Sequence, residues 1–148
     1  MDLKLKIKKL REGATLPYRA TEGSAGMDLY ACIDEEKTIA PGEILLIPTG
    51  IAIEIPSPDY VAYIFARSGL AIKHGVTLAN SVGVVDSDYR GEVCVGLCNV
   101  GNTPYTIAPK ERIAQMVISP VSLMPTVEVQ ELSDTERGKG GFGSTGKK

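Results

Sequence analysis

Glycine or proline interrupts this chain so often that the longest stretch free of both runs only from Met27 to Ala40. A helix bundle needs several uninterrupted periodic segments of at least that length, so long helices are excluded as the framework. Between the interruptions lie short runs of alternating polarity. Leu3, Leu5 and Ile7 alternate with Lys4, Lys6 and Lys8, and Ile51, Ile53 and Ile55 alternate with Ala52 and Glu54. A period of two places one side of a strand in a core and leaves the other wet. Further strands are expected at residues 44–47, 61–66, 76–79, 91–97, 112–118 and 126–132. Pro41-Gly42, Pro48-Thr49-Gly50, Pro56-Ser57-Pro58-Asp59 and Gly101-Asn102-Thr103-Pro104 separate them with turn chemistry,. The pattern predicts an all-β fold: an antiparallel sandwich, jelly roll or barrel. One short helix is expected at 68–73, with Ser68 as its cap and Gly75 closing it.

A length of 148 residues suits one domain burying roughly 70% of its unfolded surface. The formal net charge of −2 supplies no broad positive field, which argues against nucleic acid as a partner and leaves phosphate recognition to a few local residues. The opening MDLKLKIKKL alternates rather than forming an apolar core of a leader, and nowhere do 18 apolar residues run together, so neither export nor a membrane partner is expected,. Cys32, Cys94 and Cys98 are an odd, sparse set that suits a reduced, cytoplasmic setting,. From Ser133 the composition changes. Residues 1–132 can build a core, whereas 133–148 are polar and hold Gly138, Gly140, Gly141, Gly143 and Gly146 around a single apolar side chain, Phe142. Such an arm is either a frayed terminus or a mobile segment whose glycines permit close backbone approach while the ring offers a stacking face.

Five segments carry chemistry. Within the arm, Gly141 to Lys147 approaches the spacing of a P-loop, but Lys148 stands where Ser or Thr is required and no helix follows, so that reading fails; Arg137 and Lys139 still add positive charge,. Residues 80–91, NSVGVVDSDYRG, read as a β-hairpin with Asp88-Tyr89-Arg90-Gly91 near its turn,. Asp86 and Asp88 are either turn formers or, beside a pocket, a carboxylate that orients and deprotonates water, and Asn80 offers a donor and an acceptor to the edge of a base. Arg67-Ser68-Gly69 combines a guanidinium fork, a hydroxyl and a free amide, the groups that suit phosphate oxygens, or else forms a plain helix cap. Ala25-Gly26-Met27-Asp28-Leu29 sets a carboxylate at the start of an apolar run. In Arg112-Ile113-Ala114-Gln115, alternation puts Arg112 and Ala114 on one face and Ile113 and Gln115 on the other. His74 is the only histidine, which excludes a Ser-His-Asp triad and histidine-rich zinc sites,. Cys94 and Cys98 are expected to be buried thiols rather than metal ligands.

Taken together and in chain order, the five segments resemble the five motifs of the trimeric dUTPase family, deoxyuridine 5′-triphosphate nucleotidohydrolases. The resemblance implies a jelly-roll-like, distorted β-barrel assembled as a homotrimer with active sites shared between subunits. It implies hydrolysis of dUTP to dUMP and pyrophosphate by Mg²⁺-assisted attack of water on the α-phosphorus, limiting uracil in DNA and supplying dUMP for dTMP synthesis. The related dCTP deaminase group, or a dUTPase-like nucleotide-sensing regulator, is the alternative. Carried over by position, Asp86 activates the water. Asn80 and the backbone of Gly83, Val84, Val85 and Cys94 read uracil, and Tyr89 packs on the deoxyribose and excludes a 2′-hydroxyl. Arg67, Ser68, Gly69 and Gln115 hold phosphates, and Asp28 holds Mg²⁺ through water. From the arm, Phe142 beside Gly143 stacks on uracil and Arg137 meets the γ-phosphate. The sequence departs from the family pattern at Lys110, where relatives often have Gly, so the geometry of that turn is the open point.

Overall fold

The computed structural model describes residues 3–146. Among the described residues, eleven short strands and one helix follow one another, as the density of turn residues requires. Strands β1 (Lys6–Lys9) and β5 (Ile51–Glu54) pair antiparallel, as do β3 (Lys37–Ile39) and β10 (Tyr105–Ile107). A four-stranded sheet has the order β2 (Met27–Tyr30), β11 (Arg112–Pro120), β6 (Tyr60–Phe65), β8 (Gly83–Val85). A three-stranded sheet has the order β4 (Ile44–Pro48), β9 (Cys94–Asn99), β7 (Val76–Leu78). All pairings are antiparallel. The architecture is therefore the mostly β, jelly-roll-like one, divided among four sheets rather than closed into a single barrel.

The core between the sheets is aliphatic. Leu29, Ile39, Ile47, Ile51, Leu97, Ile107, Ile113 and Met116 are essentially fully buried, each contributing roughly 1.5–3 kcal/mol of apolar burial. Two polar side chains sit among them with their hydrogen bonds satisfied, as burial demands. Asn99 donates Nδ2–H to the carbonyls of Ile39 (3.0 Å) and Thr103 (2.8 Å) and accepts the Gly101 amide (2.9 Å). The Thr49 hydroxyl donates to the Val93 carbonyl.

Helix α1 (Ser68–His74) follows β6. Arg67, not Ser68, is its N-cap, and no side chain caps it; Ser68 is the first helical residue. Gly75 closes the helix at φ 68° with its amide on the Ala71 and Leu70 carbonyls. A Cβ there would sit 2.5 Å from the Gly101 amide nitrogen, so the position is closed to other residues on two counts,.

Three other expectations are corrected. Residues 126–132 form no strand: Val127, Val129 and Leu132 are exposed and no neighbouring strand pairs with them, and an unpaired strand has no source of hydrogen bonds,. The 80–91 segment is no hairpin either, because β8 pairs with β6 while β9 pairs with β4 and β7. Its two arms enter different sheets and leave a cleft between them. Finally, strict alternation fails in β11, where a register shift between Arg112 and Ala114 buries Ile113 and Ala114 together,.

Candidate functional site

The described surface has two clefts that gather the chemistry-bearing segments. The first, of about 440 Å³, lies where β6 gives way to α1 and is lined by Gly26, Asp28, Arg67, Ser68, Gly69, Arg112 and Gln115, among others. Asp28 projects from β2 with its two oxygens divided between two guanidinium groups. Arg67 Nε donates to Oδ1 at 3.2 Å and Arg112 Nη1 to Oδ2 at 3.4 Å. Arg67 also donates to the Arg112 carbonyl at 3.3 Å. Because of the bulge, Arg112 and Gln115 line one cleft rather than lying on opposite faces as alternation predicts.

Gln115 Nε2 donates to the Ala66 carbonyl at 3.0 Å. Its side chain lies directly over Gly26, where any Cβ would collide with Oε1. Any side chain at Gly26, two residues before Asp28, would therefore displace the Gln115 amide from its present position. At the start of α1 the first-turn amides of Ser68 and Gly69 have no capping side chain and stay exposed, which leaves them able to donate to an anion. Two cations, amide donors and a single carboxylate make the cleft suited to a polyanion.

The second cleft, of about 370 Å³, opens between the two larger sheets and is lined by Leu46, Ile64, Leu78, Asn80, the whole of β8, Asp86, Tyr89 and residues 92–96. Strand β8 stands at the edge of its sheet, so one row of its peptide groups is unpaired and borders the cleft. Gly83 packs so close to Ile64 that a Cβ would lie 2.9 Å from Ile64 Cβ. Asp86 is exposed at the mouth and, among the described residues, its carboxylate has no ion-pair partner. Enclosure in the cleft wall, and after it the Glu92 carboxylate, pushes the Cys94 thiol above its ordinary range, which keeps it neutral at physiological pH. Cys94 is exposed and Cys98 half-buried, so the expectation of two buried thiols is corrected; among the described residues no group of three metal-ligating side chains exists.

Two residues of this cleft's surroundings carry no motif. Arg11 reaches Glu92 with both guanidinium arms, Nη1 to Oε1 at 2.9 Å and Nη2 to Oε2 at 3.0 Å. Glu92 Oε2 also accepts the Gly50 amide at 3.0 Å. The guanidinium bonds hold the Glu92 carboxyl below the usual carboxylate range, and Glu92 in turn raises Arg11,. Nothing in the local sequence around Arg11 signals a partner 81 residues away.

The turn at Lys110 adopts φ 63°, the left-handed conformation that glycine would take there, held by its amide on the Ala31 carbonyl at 2.8 Å. The described part of the arm, residues 133–146, lines neither cleft. Arg137 Nε donates to its own neighbour's carbonyl at Gly140 (2.9 Å), Phe142 is fully exposed at φ 50°, and Gly143 has φ 88°.

A family model described as dUTPase matches residues 12–146. A deoxyuridine 5′-triphosphate nucleotidohydrolase of Neisseria gonorrhoeae is 51% identical over 146 residues, covering 99% of this chain and 97% of that protein. A protein of the same name from Desulfitobacterium hafniense is 51% identical over 146 residues, covering 97% of each. Among solved structures, a Staphylococcus bacteriophage 80alpha dUTPase with dUPNHPP superposes with a TM-score of 0.89 at 29% identity, covering 97% of this chain and 98% of that one.

Proposed function

The chain belongs to the dUTPase family, and from that premise we propose that it hydrolyses dUTP to dUMP and pyrophosphate with the division of labour its two clefts suggest. One observation carries this reading: a carboxylate without an ion-pair partner among the described residues, Asp86, stands beside an edge strand whose free peptide groups border a cleft with room for a nucleoside.

In this reading Asn80 and the backbone of Gly83, Val84, Val85 and Cys94 meet the edge of uracil. Fixed donors and acceptors reject cytosine because its 4-position reverses the hydrogen-bond pattern and leaves buried groups unpaired. Tyr89 packs on the deoxyribose. Arg67, Ser68, Gly69 and Gln115 take the phosphates, with charge-assisted bonds from the arginine. Asp86 accepts the proton of the water that attacks the α-phosphorus, and its freedom from ion pairs leaves it available as a base. Asp28 is the lone carboxylate of the phosphate cleft and is already shared by two arginines. That donor set does not cage a metal, but it fits a Mg²⁺ ion held mainly by phosphate oxygens and water, with Asp28 contacting a coordinated water. When bound, Mg²⁺ supplies charge neutralisation on the triphosphate.

Several subunits completing one site would bring together two clefts that lie apart on one chain. Ile44, Leu46 and Val84 on the strands, and Leu123, Met124, Val127 and Leu132 beyond β11, are exposed apolar side chains. A homotrimer covers such surface, and a neighbour's arm brings Arg137, Phe142 and Gly143 over a site. Residues 133–148 then act as a lid on the 1–132 body, although residues 147 and 148 lie outside the described part. In this reading the products limit uracil in DNA and provide dUMP for dTMP synthesis in the cytoplasm; among the described residues no helix is long and apolar enough to cross a membrane.

Incubation with dUTP, dCTP, dTTP and UTP, each with Mg²⁺ or EDTA, tests the reading. Pyrophosphate released from dUTP alone, and only with Mg²⁺, is the expected result. Ammonia from dCTP, or no turnover of any nucleotide, overturns it. Light scattering at a mass near one chain overturns the trimer.

A further inference from the structure

Tyr89 is held by contacts that converge on one peptide. Its hydroxyl donates to the Glu92 carbonyl at 2.9 Å. Its ring lies so close to Gly91 that a Cβ at 91 would collide with the ring and the hydroxyl. The ring therefore rests on the 91–92 backbone and is fastened to it at its far end. That backbone leads from the loop after β8 into β9, and residues 91 and 92 lie outside the strand pairings of β9.

The Glu92 side chain adds a second anchor beside the bond from the Val93 amide to the Ile51 carbonyl (2.9 Å). Its carboxylate receives both arms of Arg11 and the Gly50 amide, with Oε2 serving two donors. Gly50 occupies the turn between β4 and β5 at φ 71°. Its Cα is hemmed in by Ala14 and Cys32, where a Cβ would lie 2.8 Å from each. Glu92 thus pins the Tyr89 loop to a tightly packed part of the body. A bidentate guanidinium–carboxylate pair fixes orientation as well as distance.

We infer that Arg11 and Glu92 are positioning residues that hold Tyr89 in place and so set how strongly the site rejects a ribose 2′-hydroxyl. The inference rests on the reading of this cleft as the deoxyuridine site. Neither residue needs to touch the nucleotide. A loosened Tyr89 leaves room for the extra hydroxyl, so the change appears in selectivity between sugars more than in turnover of the correct substrate.

The experiment compares kcat/KM for dUTP and UTP in the wild-type protein and in Arg11→Ala, Glu92→Gln and Tyr89→Phe. The ratio of dUTP to UTP is expected to fall by about tenfold in each, the size of one lost fastening interaction. Turnover of saturating dUTP is expected to stay within about threefold of wild type in Arg11→Ala and Glu92→Gln, since neither residue is placed against the nucleotide. Combining Arg11→Ala with Tyr89→Phe is expected to lower the ratio no further, because both changes cut one tether. A lowered Tm with an unchanged ratio assigns the pair a purely structural role and overturns the inference. If Glu92→Gln fails to fold, Arg11→Lys, which keeps the charge and loses the fork, decides in the same way. Calorimetric binding of dUMP against UMP provides a readout independent of turnover and is expected to lose the same selectivity. Wild-type protein that does not hydrolyse dUTP defeats the functional reading itself, whereas dUTP hydrolysis with undiminished selectivity in the variants defeats only the inference.

Discussion

In the cleft beside α1 the acid, Asp28, is held between the guanidinium groups of Arg67 and Arg112, whereas in the cleft between the sheets the acid, Asp86, stands free at the rim of an apolar wall. The first cleft is organised by charge. Its donors surround a carboxylate that a polyanionic ligand would compete with for the same cations, so binding there involves exchange of ion pairs. The second is organised by shape. An edge strand, a packed tyrosine and a tethered backbone present fixed surfaces with little net charge, suited to telling one base or sugar from another. Under the proposed function, the contrast assigns binding strength and selectivity to different parts of this chain and to different interactions.

Changing the free acid provides the sharpest break in the comparison. Asp86→Asn is expected to lower dUTP turnover by at least about 10²-fold, the low end for an acid–base group, while calorimetric affinity for the non-hydrolysed nucleotide stays near wild type. Near-normal turnover removes Asp86 from its role. Truncation before Arg137 comes next. A loss of about 10²-fold in kcat/KM is expected from a missing covering segment, with the circular dichroism melt of the body unchanged; an unchanged rate refutes the lid.

Within the charged cleft, Arg67→Ala is expected to raise KM for dUTP by about tenfold, the loss of one charge-assisted contact, without altering deoxyuridine binding. If deoxyuridine weakens equally, the two clefts do not divide the nucleotide as proposed. Gly26→Ala drives a methyl group into Gln115 and is expected to cost about threefold to tenfold in kcat/KM by misplacing that side chain. The smallest effect belongs to neither cleft. Lys110→Gly relieves a left-handed lysine and is expected to raise stability by about 0.5–1 kcal/mol, read as a higher urea midpoint with activity unchanged.

Much of the fold was legible in local patterns. The turns at Pro41-Gly42 and Pro48-Thr49-Gly50 bracket β4, and the helix after β6 ends at Gly75 as its composition suggests. Other features were not legible, for identifiable reasons. The 126–132 run has the composition of a strand, but composition does not supply a pairing partner. The Arg112–Ala114 bulge breaks the period-two rule because two adjacent apolar residues both reach the core. Residues 80–91 look like a hairpin because their flanks are apolar and their apex polar, yet which strand each flank joins depends on β6, β4 and β7, far away in sequence.

The sequence by itself determined the β class, the single short helix, the glycine-rich character of the arm and the segments that carry ionisable and amide groups, because each follows from local backbone preference and side-chain type. Only the tertiary structure decided that those segments fall into two separate clefts, that Arg112 and Gln115 share one of them, and that Arg11 grips Glu92 across 81 residues. Pairing, register and long-range ion pairs arise from which surfaces meet when the core closes, and that meeting is a property of the whole chain rather than of any stretch within it.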